Sequence, residues 1–278
     1  DESDNNNNGT VNGATLTVDR NGNADSAYDF DGTNDYIEAP HQADMNHEDV
    51  KTVSAWISPA HLSKVQVFLY KYRNDTTEGG WGLLMDSTQK LQYNYKHTSG
   101  SGDHTSSSSS LGLSTHQWVH LAATKNGNTV TLFKNGIPIT TKTISVDGNP
   151  QDNGRPLLLG TGLNSNNSKS DFLQGKMDDI RVYDRALNAD EVTRLYSLEK
   201  PPPPSITKQP TNTTAVIGST ATIDVNATGA TSYQWQTQDA NGTWSNLAGA
   251  NSATLTLTNV QNDNNGTYRV IASNIFGS

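Results

Sequence analysis

Residues 175–196 read GKMDDIRVYDRALNADEVTRLY. The pattern is a strand over residues 176–183 running into a short helix. Asn188 can cap that helix, and Glu191, three residues on, can reach back to the amide of the cap. Val192, Leu195 and Leu198 then share one side of the helix and are expected against the end of a sandwich. Inside the strand, simple alternation puts Asp178 on the side of Ile180 and Val182, and Asp179 on the side of Met177 and Arg181. At least one of two adjacent carboxylates therefore points at packed side chains, where an unpaired charge is very costly. It needs a cation or several donors.

The short-strand pattern repeats upstream at residues 15–18, 27–30, 36–38, 52–57, 65–70, 82–85, 91–95, 118–124, 129–134 and 157–160, separated by Asn-Gly, Asp-Gly and other Gly-rich turns. So many short strands predict an all-β, antiparallel sandwich. Asn126-Gly127 and Asn135-Gly136 are the sharpest turn signals, the first joining two strands in a hairpin. Residues 98–115, with a serine run at 106–110, read as a long polar loop or a disordered flap. Trp56, Trp118 and His120 lie within apolar strands and are expected to pack rather than to bind.

Four consecutive prolines, Pro201, Pro202, Pro203 and Pro204, cannot enter a helix or a central strand and divide the chain into residues 1–200 and 205–278. With 278 residues the chain has room for two domains. In the second part Trp235 stands where a third strand buries its tryptophan, and Tyr268 starts a later strand as a tyrosine corner. Val225 and either Val270 or Ala272 occupy the places that cross-sheet cysteines would take.

There is no cysteine, which excludes disulfides, thiolate metal sites and a cysteine nucleophile. The formal net charge of -9 argues against nucleic acid and anionic membranes as partners. No apolar run is long enough to cross a bilayer. Charge is concentrated in the first part: residues 205–278 hold 2 of the 19 bases and 3 of the 28 acids, leaving 17 and 25 before them. Residues 1–50 carry twelve acids against one base, Arg20, which reads either as a solvated acidic face or as oxygen ligands for a hard cation.

Five stretches carry a resemblance: AYDFDGTNDYIEAP at 27–40, VSAWI at 53–57, QWVHLA at 117–122, VTLFKNG at 130–136, and the segment at 175–196. In order and spacing they resemble the concanavalin A-like laminin G domains of bacterial surface proteins. Residues 205–278 resemble a bacterial immunoglobulin-like domain. The resemblance implies a concanavalin A-like jelly-roll sandwich with a smaller immunoglobulin-like sandwich, often with one Ca²⁺, binding carbohydrate or protein outside the cell. Members usually have a strand before the position of Asp1, and an immunoglobulin-like domain a last strand after Gly277. The chain is thus expected to be an excerpt of a longer protein, or else to take a strand from a neighbouring copy.

Asp178 or Asp179, with Asp1 and carbonyls of the Asn5–Gly9 turn, is accordingly expected to hold a structural Ca²⁺, the alternative being that Asp179 accepts hydrogen bonds from backbone amides or an arginine. Asp31 and Asp35 are the fallback oxygen cluster, or a hairpin that caps its own turn. Trp81, Tyr93, Tyr95 and His97, with Asn94 or Asp86, are expected to stack on a sugar and take its hydroxyls, or to form a half-buried sheet face. No Glu-x-Asp-x-x-Glu run, nucleophile elbow, His-Glu-x-x-His helix or phosphate loop is present. The expected function is a non-catalytic extracellular module binding a polysaccharide or glycoprotein. A structural repeat of a stalk, or an accessory region of a polysaccharide-degrading enzyme, is the alternative.

Overall fold

The computed structural model describes residues 5, 7–42, 50–71, 80–96, 103–107, 109–144, 154–164, 166–274 and 276–278. The chain forms two units, Asp1–Glu199 and Lys200–Ser278.

The strands of the first unit are β1 (Thr10–Asn12), β2 (Thr15–Thr17), β3 (Ala27–Asp31), β4 (Tyr36–Ala39), β5 (Val50–Pro59), β6 (Gln66–Lys71), β7 (Gly80–Met85), β8 (Leu91–Lys96), β9 (Asp103–Ser106), β10 (Val119–Asn126), β11 (Thr129–Lys134), β12 (Ile137–Thr143), β13 (Leu157–Leu159), β14 (Gly162–Leu163), β15 (Lys169–Ser170) and β16 (Gln174–Tyr183), followed by helix α1 (Ala189–Glu199). They build two seven-stranded antiparallel sheets, ordered β1-β4-β13-β6-β7-β8-β9 and β12-β11-β10-β5-β16-β3-β2, and a small β14-β15 hairpin. Alternation sends Val53, Ala55 and Ile57 of β5, Leu121 and Ala123 of β10 and Met177 of β16 into one core with Phe68, Trp81, Leu83 and Met85 of the other sheet. Thr52, Ser54, Trp56 and Ser58 of β5 and His120, Ala122 and Thr124 of β10 face outward from the second sheet. Part of that outer face is covered by α1, where Val192 packs with Ala122, Phe133 and Leu187.

Asn135 and Gly136 close β11 onto β12 as a two-residue turn with φ of 51° and 75°, the mirror-image turn that matches strand twist. The helix start has the expected reciprocal cap: the Glu191 amide donates to Asn188 Oδ1 and the Asn188 amide to Glu191 Oε2, each at 2.9 Å. Two expectations are corrected. Residues 103–106, placed in a polar loop by composition, form the edge strand β9, paired with β8, because an edge strand needs only one partner and tolerates polar side chains. Leu198 is 75% exposed; the last turn of α1 meets the sheet through Tyr196 and Glu199, both on Trp56. No helix among the described residues is long and apolar enough to cross a membrane.

The second unit contains β17 (Ser205–Lys208), β18 (Ala221–Asp224), β19 (Asn226–Thr228), β20 (Ser232–Gln238), β21 (Trp244–Asn246), β22 (Thr254–Leu257) and β23 (Tyr268–Ser273). Val225, Trp235 and Leu255 form its core. Trp235 is fully buried and its indole N–H donates to the Ser252 carbonyl at 3.0 Å. The Tyr268 hydroxyl donates to the Asn264 carbonyl at 2.8 Å, completing the tyrosine corner.

Candidate functional site

The doubled aspartate sits at a β-bulge. On β16, Asp178 pairs with Trp56 but Arg181 pairs with Ser54, so Asp179 and Ile180 together oppose Ala55. Asp179 takes a φ of 42°. The extra residue resets the alternation: Met177 before the bulge and Ile180 and Val182 after it all pack on the core. Asp178 is thereby on the outer face, the side opposite to that expected from period two, and Asp179 stands beside it.

Both carboxylates grip Arg20. Its Nη1 donates to Asp178 Oδ2 and its Nη2 to Asp179 Oδ2, each at 2.5 Å, while Nε donates to the Glu199 carbonyl at 2.8 Å. Asp178 Oδ1 accepts the Asp179 amide at 2.8 Å, and Asp179 Oδ1 lies 3.5 Å from Arg181 Nη2. Every oxygen of the pair thus faces a donor. Glu199, at the end of α1, closes the set: its carboxylate accepts Trp56 Nε1 at 2.8 Å and Arg181 Nε at 2.5 Å. Arg20 also lies over the Trp56 ring, 4.7 Å from its centroid, and Trp56 stacks on Tyr196 at 5.6 Å.

This is the arginine alternative to the metal expectation. A divalent ion on these oxygens would face the guanidinium that already holds them, so Asp178 and Asp179 as placed do not fit Ca²⁺. Asp1 lies outside the described residues. Among the described residues, no three His, Asp or Glu side chains are grouped to hold a metal ion. At the fallback cluster, Asp35 Oδ2 accepts the Asp31 amide at 2.9 Å and Asp31 Oδ1 accepts the Thr33 amide at 2.7 Å. This is the self-capped hairpin. Hydrogen bonding from the Thr33 amide holds the Asp31 carboxyl below the usual carboxylate range.

Burial pushes the Asp178 carboxyl up to about 6, against the pull of Arg20. His120, packed on Trp56 with ring centroids 5.5 Å apart, is fully buried and neither ring nitrogen has a hydrogen-bond partner. Burial, with Arg20 and Arg181 adding to it, holds His120 down at about 4. The imidazole is neutral at pH 7 and structural, as expected.

The aromatic residues expected to stack on a sugar point inward. Trp81, Tyr93 and Tyr95 are at most 2% exposed and belong to the core. Two of the ring faces are taken by the protein's own ammonium groups: Lys51 lies 4.5 Å from the Trp81 centroid and Lys125 4.4 Å from that of Tyr95. Asn94, between the two tyrosines, is turned to the outer face of the first sheet, half-buried, its Oδ1 without a partner. His97 lies outside the described residues.

An open groove lies one row along from the Arg20 cluster, on the same outer face. Register puts Asp29 opposite Lys176 and Lys176 opposite Ser58. Trp118 precedes Val119, which pairs with Ile57, so it falls beside Ser58. The row Asp29–Lys176–Ser58–Trp118 crosses three strand spacings, about 14 Å. With Asp31 and His116 these residues line a cavity of ≈ 340 Å³, at the small end of ligand pockets. Its floor depends on Gly175, whose φ is 139° and where a Cβ would lie 2.3 Å from the Ser58 carbonyl oxygen. His116, at φ 61°, is held by its amide donating to the Pro59 carbonyl at 2.7 Å.

Trp56 is fully buried as expected, but Trp118 is only half-buried and borders the groove. Asp29, Ser58, His116 and Lys176 carry no sequence signal of their own, whereas Arg20 does, as the one base among twelve acids in residues 1–50.

A family model described as the concanavalin A-like lectin/glucanases superfamily matches residues 31–193, and one described as an immunoglobulin domain matches residues 203–274. No curated protein matches the chain in sequence. Solved structures of several proteins share the fold, among them the following. Domain 4 of AbnA, an extracellular arabinanase from Geobacillus stearothermophilus, in complex with arabinotriose, is 20% identical over 69% of this chain and 84% of its own, with a TM-score of 0.50. The botulinum neurotoxin serotype D ligand-binding domain, in complex with N-acetylneuraminic acid, is 12% identical over 87% of this chain and 64% of its own, with a TM-score of 0.53. The receptor-binding domain of botulinum neurotoxin mosaic serotype C/D is 16% identical over 70% of this chain, with a TM-score of 0.52; the match spans about half of that domain, 47%.

Proposed function

The chain belongs to the concanavalin A-like lectin/glucanases superfamily, and on that premise we propose that its first unit is a non-catalytic carbohydrate-binding module of a larger secreted or cell-surface protein. The contact surface is the groove along Asp29, Lys176, Ser58 and Trp118. One observation carries this reading: a half-buried indole borders a cleft whose other walls bear carboxylates, an ammonium and a hydroxyl. That combination offers an apolar face for a sugar ring and partners for its hydroxyls. Support also comes from the fold's other bearers, of which the arabinanase domain is solved with arabinotriose and the neurotoxin domain with N-acetylneuraminic acid.

The carboxylates support the non-catalytic reading. A glycosidase of this kind pairs an ionised carboxylate with a carboxylic acid whose pKa is raised. Asp31 is held low by the Thr33 amide, and Asp178, the carboxyl that is pushed up, is bound beneath Arg20. The proposed contact draws on no calcium ion.

Titration calorimetry against a panel of oligosaccharides tests the proposal. Binding should weaken at least about 10-fold in Trp118→Ala, a loss of about 1.4 kcal/mol, with the melting temperature nearly unchanged, and a chelator should leave it as it was. Saccharide binding that ignores Trp118→Ala, or an absence of binding across the panel, sinks the assignment. The second outcome would favour a stalk or spacer role.

A further inference from the structure

We infer that Glu199 is the point at which the first unit takes up tension from the linker, an assignment that does not depend on what the groove binds. The sequence sets the place. A residue before proline is turned away from the helical region, so Pro201 disfavours any continuation of α1 through Lys200. The helix accordingly ends at Glu199, the last residue of the first unit. From there the chain runs into the four prolines, a stiff spacer that cannot fold back into helix.

Three bonds meet on Glu199, and they come from three separate parts of the unit. Its carbonyl accepts Arg20 Nε at 2.8 Å, and its carboxylate accepts Trp56 Nε1 at 2.8 Å and Arg181 Nε at 2.5 Å. Trp56 belongs to β5 and Arg181 to β16, adjacent strands in the interior of the second sheet. Arg20, between β2 and β3, reaches β16 as well, through Asp178 and Asp179. A pull on Lys200 therefore loads all three bonds at once and passes into the middle of the sheet. The Glu199 side chain is only 7% exposed, and hydrogen bonds between guanidinium and carboxylate are of the stronger, charge-assisted kind. Without this grip the same pull would peel α1 from its last turn and break its contacts one after another. Those are Tyr196 on Trp56, the Thr193 hydroxyl donating to the Gly136 carbonyl at 2.8 Å, and the apolar packing of Leu195 and Val192.

The second unit holds the linker by its own means. Asn274 Nδ2 donates to the Pro202 carbonyl and to the Gly229 carbonyl, each at 3.0 Å, and Asn274 directly follows β23. Such a joint serves a module that is pulled on while its ligand is held.

Force spectroscopy on the full chain tests the assignment. The sequence has no cysteine, so Ser87→Cys, in the exposed turn between β7 and β8, and Ser278→Cys supply two unique handles. Loss of α1 frees residues 184–199, a step of at most about 55 Å and a small fraction of what either unit would release. In Glu199→Ala two of the three bonds are gone, and the short step should come at no more than about half the force at which the parent's first unit first yields. Glu199→Gln, which keeps one acceptor oxygen at the same reach, should fall between the two. Asn188→Ala destabilises the same helix from its other end and should leave the yield force as it was. Melting curves without load show that each variant is folded. A Glu199→Ala chain that first yields at the parent's force, or an equal drop in Asn188→Ala, would overturn the assignment.

Discussion

Replacing Arg20 by alanine leaves Asp178 beneath α1 without a cation and Asp179 with Arg181 alone, 3.5 Å away. The Arg20 side chain is 4% exposed and that of Asp178 12%, whereas Asp179 is 35% exposed and largely compensated by water. Removing one partner of a buried ion pair costs about 3–5 kcal/mol. The lower end applies here, because only Asp178 is deeply buried, so about 3 kcal/mol is expected at pH 8. For a unit of this size that is about 6–12 °C in melting temperature.

The loss should depend on pH in a defined direction. The folded-state pKa of Asp178 is raised from 3.8 to about 6, so the native state holds this proton more tightly than the unfolded chain. Stability from this group is present below about pH 4 and is lost as pH rises through about 6. Arg20 opposes the rise in the parent. Without it the folded pKa climbs further, the carboxyl can stay protonated at pH 5, and the deficit of the variant should be small there and full at pH 8. Calorimetric melts of the first unit at both pH values read this out. Arg20→Met combined with Asp178→Asn, which removes both charges, should recover at least half of the loss at pH 8. A variant melting within about 2 °C of the parent at pH 8, or suffering more at pH 5, would refute the reasoning.

Other expectations are simpler. Asn188→Ala removes the reciprocal helix cap and should cost the first unit about 1 kcal/mol, seen as a lower urea midpoint with an unchanged slope. Gly175→Ala forces a Cβ to within 2.3 Å of the Ser58 carbonyl oxygen at a φ of 139°; the first unit should lose at least about 2 kcal/mol in the same assay, and its glycan binding with it. Tyr268→Phe removes the corner hydrogen bond and should cost about 1 kcal/mol in the transition of the second unit alone.

The order of strands, their hairpins, the helix cap and the second unit's Trp235 and Tyr268 were legible because each is written in a few adjacent residues. Which face a side chain takes was legible only where register stays regular. The bulge at Asp179 shifts the alternation by one, and a shift of one reverses faces, so Asp178 came out on the side opposite to that predicted. Trp81, Tyr93 and Tyr95 sit among Gly and Asn, which suggested an exposed surface, yet their strand positions face the other sheet. Trp56 and Trp118 look alike in sequence and share one outer face. They differ only in that α1, more than 60 residues downstream of Trp118, covers the row of the first and stops short of the second. Arg20 pairs with Asp178 across 158 residues of sequence, a distance over which local pattern carries no information.

The bond between Arg20 and the Glu199 carbonyl spans 179 residues, and it bears on how the protein is born. At roughly 5–20 residues per second, a ribosome needs roughly 10–40 s to travel from one to the other. Through most of that interval Arg20 has been made while Asp178, Asp179 and Glu199 have not, and Trp56, once made, lacks the helix residue that its indole binds. The rim beneath α1 is therefore sealed last, only after the final helix of the first unit has left the tunnel.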